Sequence, residues 1–330
     1  MNTHRIYVTR AIPQNGIDML VQKGYEVVVG ADTKPLKPGK LNTILGKAEK
    51  KGQGYDAVLT LLTDKIGVDI LEHAPRLKIV SNMAIGFDNI DVKGLSDKHV
   101  AVTNTPGDYC DTVAEHVVAL TLSLVNSVVA GDRFMRKGKY VGWDPMLFVG
   151  KNISKQTIGI IGAGRIGERT AYHFKKGFDT EILYFDLKPN EKLEQEYGAK
   201  KMPTIESLLE QSDVVTLHVP LLPSTRHMVN ESFLKKMKKD AVLINTSRGP
   251  VVDEVLLVKA LKEKWIAGAA LDVFEFEPKL TKGLAKLEHV VLTPHIASAS
   301  VYAREEMSRI AAQNIIDVLE DRVPVGLVRL

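Results

Sequence analysis

Four side chains in the second half of the chain have the types that acid–base and anion-binding chemistry uses. Arg248 stands in "NTSRGPVVDE", Glu277 in "LDVFEFEP", His295 in "LTPHIASAS" and His218 in "VVTLHVP". An arginine fork can bind a carboxylate through two parallel hydrogen bonds and polarise a neighbouring carbonyl. A histidine titrates near neutrality and can give a proton to a developing alkoxide, and a carboxylate beside it holds it protonated and oriented. Each residue also has a plainer role open to it. Arg248 could be a phosphate contact, Glu277 a surface acid before Pro278, and either histidine a hydrogen-bonded buried ring. Both histidines follow short β-rich runs, and spacing alone does not choose between them.

The stretch "IGIIGAGRIGERT" (158–170) supplies a partner for this chemistry. Gly162, Gly164 and Gly167, with Arg165 and Ile166 among them, fit G-x-G-x-x-G at a strand-to-helix junction. The first glycine allows a tight turn, the second admits a pyrophosphate to the backbone, and the third lets helix and strand pack closely. Asp186 ends the next strand, about twenty residues on, where a carboxylate receives the ribose hydroxyls and repels a 2′-phosphate. This favours NAD, while Lys188 close by leaves NADP open. Such a cofactor supplies a hydride. Together with an arginine and a histidine, it suits reduction of a 2-oxo acid.

These residues need a scaffold that alternates strands and helices, and the chain reads that way almost from end to end, an α/β pattern with parallel sheets. Five strand candidates precede the glycine motif: "RIYVT", "YEVVV", "DAVLTLL", "LKIVSN" and "VAVTN". Six more begin at "TIGIIG" and continue through "TEILYFD", "DVVTLHVP", "AVLINTS", "IAGAALDVF" and "HVVLTP". The tail after them is one amphipathic helix, with Met307, Ile310, Ala311, Ile315, Val318 and Leu319 at helical spacing. Its apolar face is best buried against the first sheet. The layout expected is a nucleotide domain at 105–295 inserted into a first domain made of 1–104 and 296–330, with a ligand cleft between them.

Composition removes other classes. The 330 residues carry a formal charge of +4, too little to argue for nucleic acid, and the basic clusters "KAEKK" and "LKKMKK" lack interleaved aromatics. Cys110 is the only cysteine, so neither a disulfide within the chain nor a thiol cluster for zinc is expected, and no metal site is read. The N-terminal "MNTHRIYVTRAIPQ" has no apolar run of the kind a signal peptide needs. The apolar stretch "VVALTLSLVNSVVA" (117–130) is too short to span a bilayer and reads as a buried helix. A cytoplasmic protein is the expectation.

Six motifs in this order resemble those of the D-isomer-specific 2-hydroxyacid dehydrogenases, most closely their glyoxylate/hydroxypyruvate reductase branch. They are "SNMAIGFDNIDV", "GIIGAGRIG", "LHVPL", "INTSRGPVVDE", "GAALDVFEFEP" and "LTPHIAS", and the likeness covers essentially the whole chain. It implies two doubly wound parallel-sheet domains, a Rossmann nucleotide-binding domain inserted into a flavodoxin-like substrate domain, and a homodimer. It also implies a catalytic triad of Arg248, Glu277 and His295, because His218, with Pro220 and Thr225, belongs to a motif that borders the cofactor. By the same resemblance the backbone amides of Ile85 and Gly86 join Arg248 on the substrate carboxylate. Thr246, Ser247 and Asp272 line the nicotinamide side, and Thr112 lies near the pyrophosphate. An arm at about 117–150 would form the dimer, and Trp143 in it either approaches a substrate pocket or packs the interface.

Within the family, Ile85 stands where phosphite dehydrogenases carry lysine, Glu277 stands where formate dehydrogenases carry glutamine, and the chain is shorter than long-form phosphoglycerate dehydrogenases. A small aliphatic pocket of Leu61, Leu62 and Ile85 suits glyoxylate or hydroxypyruvate. D-lactate-type activity on pyruvate is the enzymatic alternative, and an NAD-sensing binding protein of the corepressor type is the non-enzymatic one.

Overall fold

A computed structural model describes residues 3–329; Met1, Asn2 and Leu330, which belong to the terminal stretches read above, lie outside them. The chain divides into two compact units. One runs to Tyr109 and resumes at Ser300; the other spans Cys110–Ala299. These divisions fall a few residues beyond those read from the sequence.

The first unit holds strands β1 (Arg5–Val8), β2 (Glu26–Val29), β3 (Ala57–Thr60), β4 (Ile79–Asn82) and β5 (Ala101–Thr103). Its helices are α1 (Gln14–Gln22), α2 (Lys40–Glu49) and α3 (Val92–Ser96). Every strand pair is parallel and the order is β2-β1-β3-β4-β5, the flavodoxin-like arrangement. β3 and β4 are buried throughout, as central strands of a parallel sheet covered on both faces must be.

The second unit begins with α4 (Cys110–Val125) and α5 (Val128–Arg136). The unit then alternates β6 (Thr157–Ile161), α6 (Arg165–Phe178), β7 (Glu181–Phe185), α7 (Glu191–Tyr197), β8 (Lys200–Lys201), α8 (Ile205–Leu209) and β9 (Val214–Leu217). It continues with α9 (Glu231–Lys236), β10 (Val242–Asn245), α10 (Glu254–Lys262), β11 (Gly268–Leu271) and β12 (Val290–Leu292). All pairs are parallel in the order β12-β11-β10-β9-β6-β7-β8, a doubly wound sheet whose strand order reverses at β6. The architecture is the expected one of two parallel-sheet α/β units.

The last helix, α11 (Val301–Leu319), belongs to the first unit. Ser300 starts it, its hydroxyl accepting from the Ala303 amide at 3.0 Å. Met307, Ile310, Ala311, Ile315 and Leu319 are buried against strand residues Ile6, Leu59 and Ile79. Ser308 fastens it to the start of α1 by donating to the Pro13 carbonyl at 2.8 Å.

Two local expectations are corrected. The second sheet has seven strands, not six, because two-residue β8 pairs with the edge of β7 and is too short to leave a hydrophobic pattern. The apolar stretch 117–130 is not one buried helix. It breaks at Ser127, which takes a left-handed φ of 54°, and full burial is confined to the α4 side: Val117, Leu120 and Thr121 pack inward, while α5 has no fully buried residue and only Val129 of it packs partly against the core. Among the described residues no single helix is long and apolar enough to cross a membrane.

Candidate active site

Parallel strands deliver their C-terminal ends to one edge of a sheet, and in the second unit the chemistry-bearing residues collect there. The glycine turn follows β6. Gly162 has a φ of 97°, and a Cβ on it would come within 2.7 Å of the His218 carbonyl carbon; a Cβ on Gly167 would meet the Gly162 carbonyl oxygen at 2.1 Å. Both positions therefore exclude a side chain. Gly164 has open space in front of it, with Arg165 and Ile166 opening α6. The first amides of that helix make a cradle for phosphate. Asp186 braces the turn, its Oδ2 accepting the Ala163 amide at 2.7 Å. A cleft of about 500 Å³ beside it is lined by Phe185, Asp186, Leu187, Lys201, Met202 and Pro203.

Arg248 follows β10 on a turn that Asn245 templates from the buried strand end. Asn245 Oδ1 accepts the Ser247 amide at 3.0 Å and the Ser247 hydroxyl at 2.8 Å, and its Nδ2 donates to the Arg248 carbonyl at 3.1 Å. Thr246 Oγ1 is buried with no hydrogen-bond partner. An orphaned buried hydroxyl costs free energy unless something else satisfies it, and a polar ligand group at this edge would. Together with the glycine cradle, it makes these residues fit a nicotinamide dinucleotide.

Glu277 and His295 come from the segments after β11 and β12. His295 Nδ1 lies 3.2 Å from Glu277 Oε2, and Glu277 Oε1 accepts the Phe274 amide at 3.0 Å. Burial pushes the Glu277 carboxyl up, but the hydrogen bonds from His295 and Phe274 and the charges of His295 and Arg248 outweigh it, leaving the carboxyl below its ordinary range. His295 itself has a left-handed φ of 56°, and its loop is pinned from beneath by Asp272. That fully buried carboxylate accepts from Thr293 Oγ1 at 2.6 Å and from the amides of Ile296 and Ala297 at 2.9 and 2.8 Å. Desolvation raises the Asp272 carboxyl, yet these donors and His116 bring it below the usual value. His116 Nε2 stands 3.6 Å from Asp272 Oδ1 and 3.2 Å from Thr293 Oγ1. Asp272, which the resemblance sets on the nicotinamide side, thus anchors the loop of His295. His116, on α4, reaches the same loop.

His218 is of a different kind. Its Nε2 is 3.0 Å from Thr216 Oγ1, and desolvation pushes its pKa down to about 3, so the ring is neutral at physiological pH. Pro220 and Thr225 close the turn that follows, with Thr225 Oγ1 donating to the Pro220 carbonyl at 2.6 Å. Thr112 lies in the first turn of α4.

Leu62, Ile85 and Gly86 belong to the first unit, where Asn82 and Asn89 tie two loops together. Asn82 Nδ2 donates to the Gly86 carbonyl at 2.9 Å, and Asn89 Nδ2 to the Asp64 carbonyl at 2.8 Å. Asn104 holds the Ile85 carbonyl at 2.8 Å, so both carbonyls are occupied and the backbone of the loop is fixed.

Residues 118–297 match the family described as D-isomer specific 2-hydroxyacid dehydrogenase, NAD binding domain. The chain belongs to the D-isomer-specific 2-hydroxyacid dehydrogenases. It is 44% identical to a glyoxylate reductase of Thermococcus litoralis, over 98% of this chain and 96% of that one. It is 46% identical to one from Pyrococcus horikoshii, over 98% and 95%. Among solved structures, an NADPH-dependent glyoxylate/hydroxypyruvate reductase of Sinorhizobium meliloti in complex with citrate superposes with a TM-score of 0.82. It is 30% identical, over 98% of this chain and 97% of that one. A protein of Thermus thermophilus reaches a TM-score of 0.90 at 33% identity, over 98% and 100%. The chain is an NAD(P)-dependent dehydrogenase of this family.

Proposed function

We propose that the protein reduces glyoxylate, and secondarily hydroxypyruvate, to the 2-hydroxy acid, with Arg248 binding the carboxylate and His295 donating the proton. The observation that carries this is the His295–Glu277 pair at 3.2 Å, with its carboxyl held ionised beside Arg248. The bound cofactor supplies the hydride. The rest is the work of the chain's own residues. Arg248 orients the acid and draws charge from its carbonyl, and Glu277 holds the imidazolium so that its proton points at the oxygen becoming an alkoxide. His218, neutral and desolvated, is a poor source of that proton, which supports His295 as the acid. The amides of Ile85 and Gly86 are proposed as further donors to the substrate, with Leu62 lining its pocket. The names of the relatives support glyoxylate as substrate. Initial rates with NADH and NADPH against glyoxylate, hydroxypyruvate, pyruvate and phenylpyruvate test this reading. Glyoxylate is expected to give the highest kcat/KM, and pyruvate giving it would favour the lactate-type alternative.

NADH is the proposed preferred cofactor because Asp186 lies where a 2′-phosphate would sit. One observation favours some use of NADPH: β8 brings Lys201 to the cleft that Asp186 lines.

We further propose a homodimer formed through α5 and residues 137–149. No residue of α5 is buried, and Val141, Trp143 and Met146 beyond it are 100%, 84% and 77% exposed. An apolar run of this kind marks an interaction surface.

A further inference from the structure

We infer that Glu254 and Glu275 form a reciprocal clasp that sets Glu277 relative to Arg248, which makes Glu254 a positioning residue for the proton donor. The inference rests on the roles proposed above for Arg248, Glu277 and His295.

Glu254 opens α10 and is 1% exposed. Its Oε1 accepts the Glu275 amide at 2.6 Å, while Glu275 Oε2 accepts the Glu254 amide at 3.2 Å, so each carboxylate caps the other's backbone. The second oxygens are used as well: Glu254 Oε2 accepts from Thr281 Oγ1, and Glu275 Oε1 meets His227 Nε2, both at 2.6 Å. His227 is itself anchored to the arginine turn, its amide donating to the Pro250 carbonyl at 2.9 Å. Gly249 gives an independent sign that the two segments are pressed together, because a Cβ there would fall 1.9 Å from the Phe274 carbonyl group. Next in line, Phe274 donates its amide to Glu277.

Burying two carboxylates side by side is unfavourable, and burial and the neighbouring Glu275 both push the Glu254 carboxyl up, against the hydrogen bonds it accepts. A neutral amide would avoid that cost but would offer one acceptor oxygen, not two. The carboxylate uses one oxygen for the loop amide and the other for Thr281. The clasp thus joins the arginine turn to the Glu277 loop by hydrogen bonds at both ends, where displacement of a catalytic group by about 1 Å can lower rate on the order of 10²-fold.

The test is a double-mutant cycle on the whole enzyme with NADH and glyoxylate. It uses Glu254→Ala, Glu254→Gln, Glu277→Gln and the double variant Glu254→Ala/Glu277→Gln, with NADH affinity measured by fluorescence. Glu254→Ala is expected to lower kcat by at least about tenfold with NADH affinity nearly unchanged, to move the alkaline fall of the rate down as Glu277→Gln does, and to be partly rescued in Glu254→Gln. The double variant is expected to be little slower than Glu277→Gln alone, since residues acting through one another are non-additive. Should Glu254→Ala fail to fold, Glu275→Gln takes its place in the cycle. A wild-type kcat and pH profile in the clasp variant, or losses that multiply in the double, would overturn the inference. Failure of the underlying reading looks different: Glu277→Gln would then leave rate and pH profile untouched.

Discussion

His295 Nδ1 lies 3.2 Å from one oxygen of Glu277, and the other oxygen accepts the Phe274 amide at 3.0 Å, so the carboxylate is held at both ends. The Glu277 carboxyl titrates below its ordinary range and is a fixed negative charge throughout the neutral and alkaline range. Carbonyl reduction consumes a proton, so its rate falls at alkaline pH as the protonated donor becomes scarce. Glu277→Gln removes the charge and keeps the shape. The alkaline fall of the glyoxylate reduction rate should therefore move to lower pH, as kcat measured across pH will register.

Arg248 offers a second test. Arg248→Lys keeps the charge and loses the planar fork. NADH affinity should survive, while kcat/KM for glyoxylate falls on the order of 10²-fold, the usual effect of removing an oriented donor to developing charge. Steady-state kinetics beside a cofactor titration separate the two effects.

Cofactor choice turns on Asp186. Wild-type kcat/KM should be higher with NADH, and Asp186→Asn should narrow the gap by relieving repulsion of a 2′-phosphate. Lys201→Ala should widen it. A wild-type preference for NADPH of about tenfold or more would contradict the assignment of Asp186.

Asp272 makes a prediction about stability. Its folded-state carboxyl lies below the unfolded value, so its contribution is present above the unfolded pKa and is lost as pH falls through the folded one. Asp272→Ala strands Thr293 and the amides of Ile296 and Ala297. It should cost about 3–5 kcal/mol, as breaking a buried charged network does, seen as a lower Tm at neutral pH and a smaller deficit in acid.

The exposed arm gives a fifth. The wild-type protein should sediment as a dimer, and Val141→Ser/Trp143→Ser should sediment as a monomer. Equilibrium ultracentrifugation of both distinguishes this from an arm that has no partner.

Much of this was legible in the residues. Buried parallel strands are short apolar runs, so eleven of the twelve could be read directly, and β8 escaped because Lys200 and Lys201 pair with β7 without burying anything. Arg248, Glu277 and His295 could be picked out as residue types at strand ends, but spacing left His295 and His218 level and only the family resemblance preferred His295; the burial that lowers the His218 pKa leaves no local pattern. The supporting residues were not legible at all. Glu254, Glu275 and His227 act through hydrogen bonds between segments more than twenty residues apart, and only folding brings those together; Asn245 acts within its own turn, through a side-chain pattern that residue type alone does not announce. The α4–α5 break was hidden because an apolar run reads alike whether or not its far end packs against the core.

The choice of proton donor is the centre of this account, and the pH profile of glyoxylate reduction by His295→Ala and His218→Ala tests it most directly. His295→Ala should lose the alkaline limb and roughly 10²–10⁴ in kcat, the usual contribution of a positioned acid, with NADH still bound. His218→Ala should keep the limb. Loss of the limb in His218→Ala, with His295→Ala retaining both limb and rate, would contradict the account.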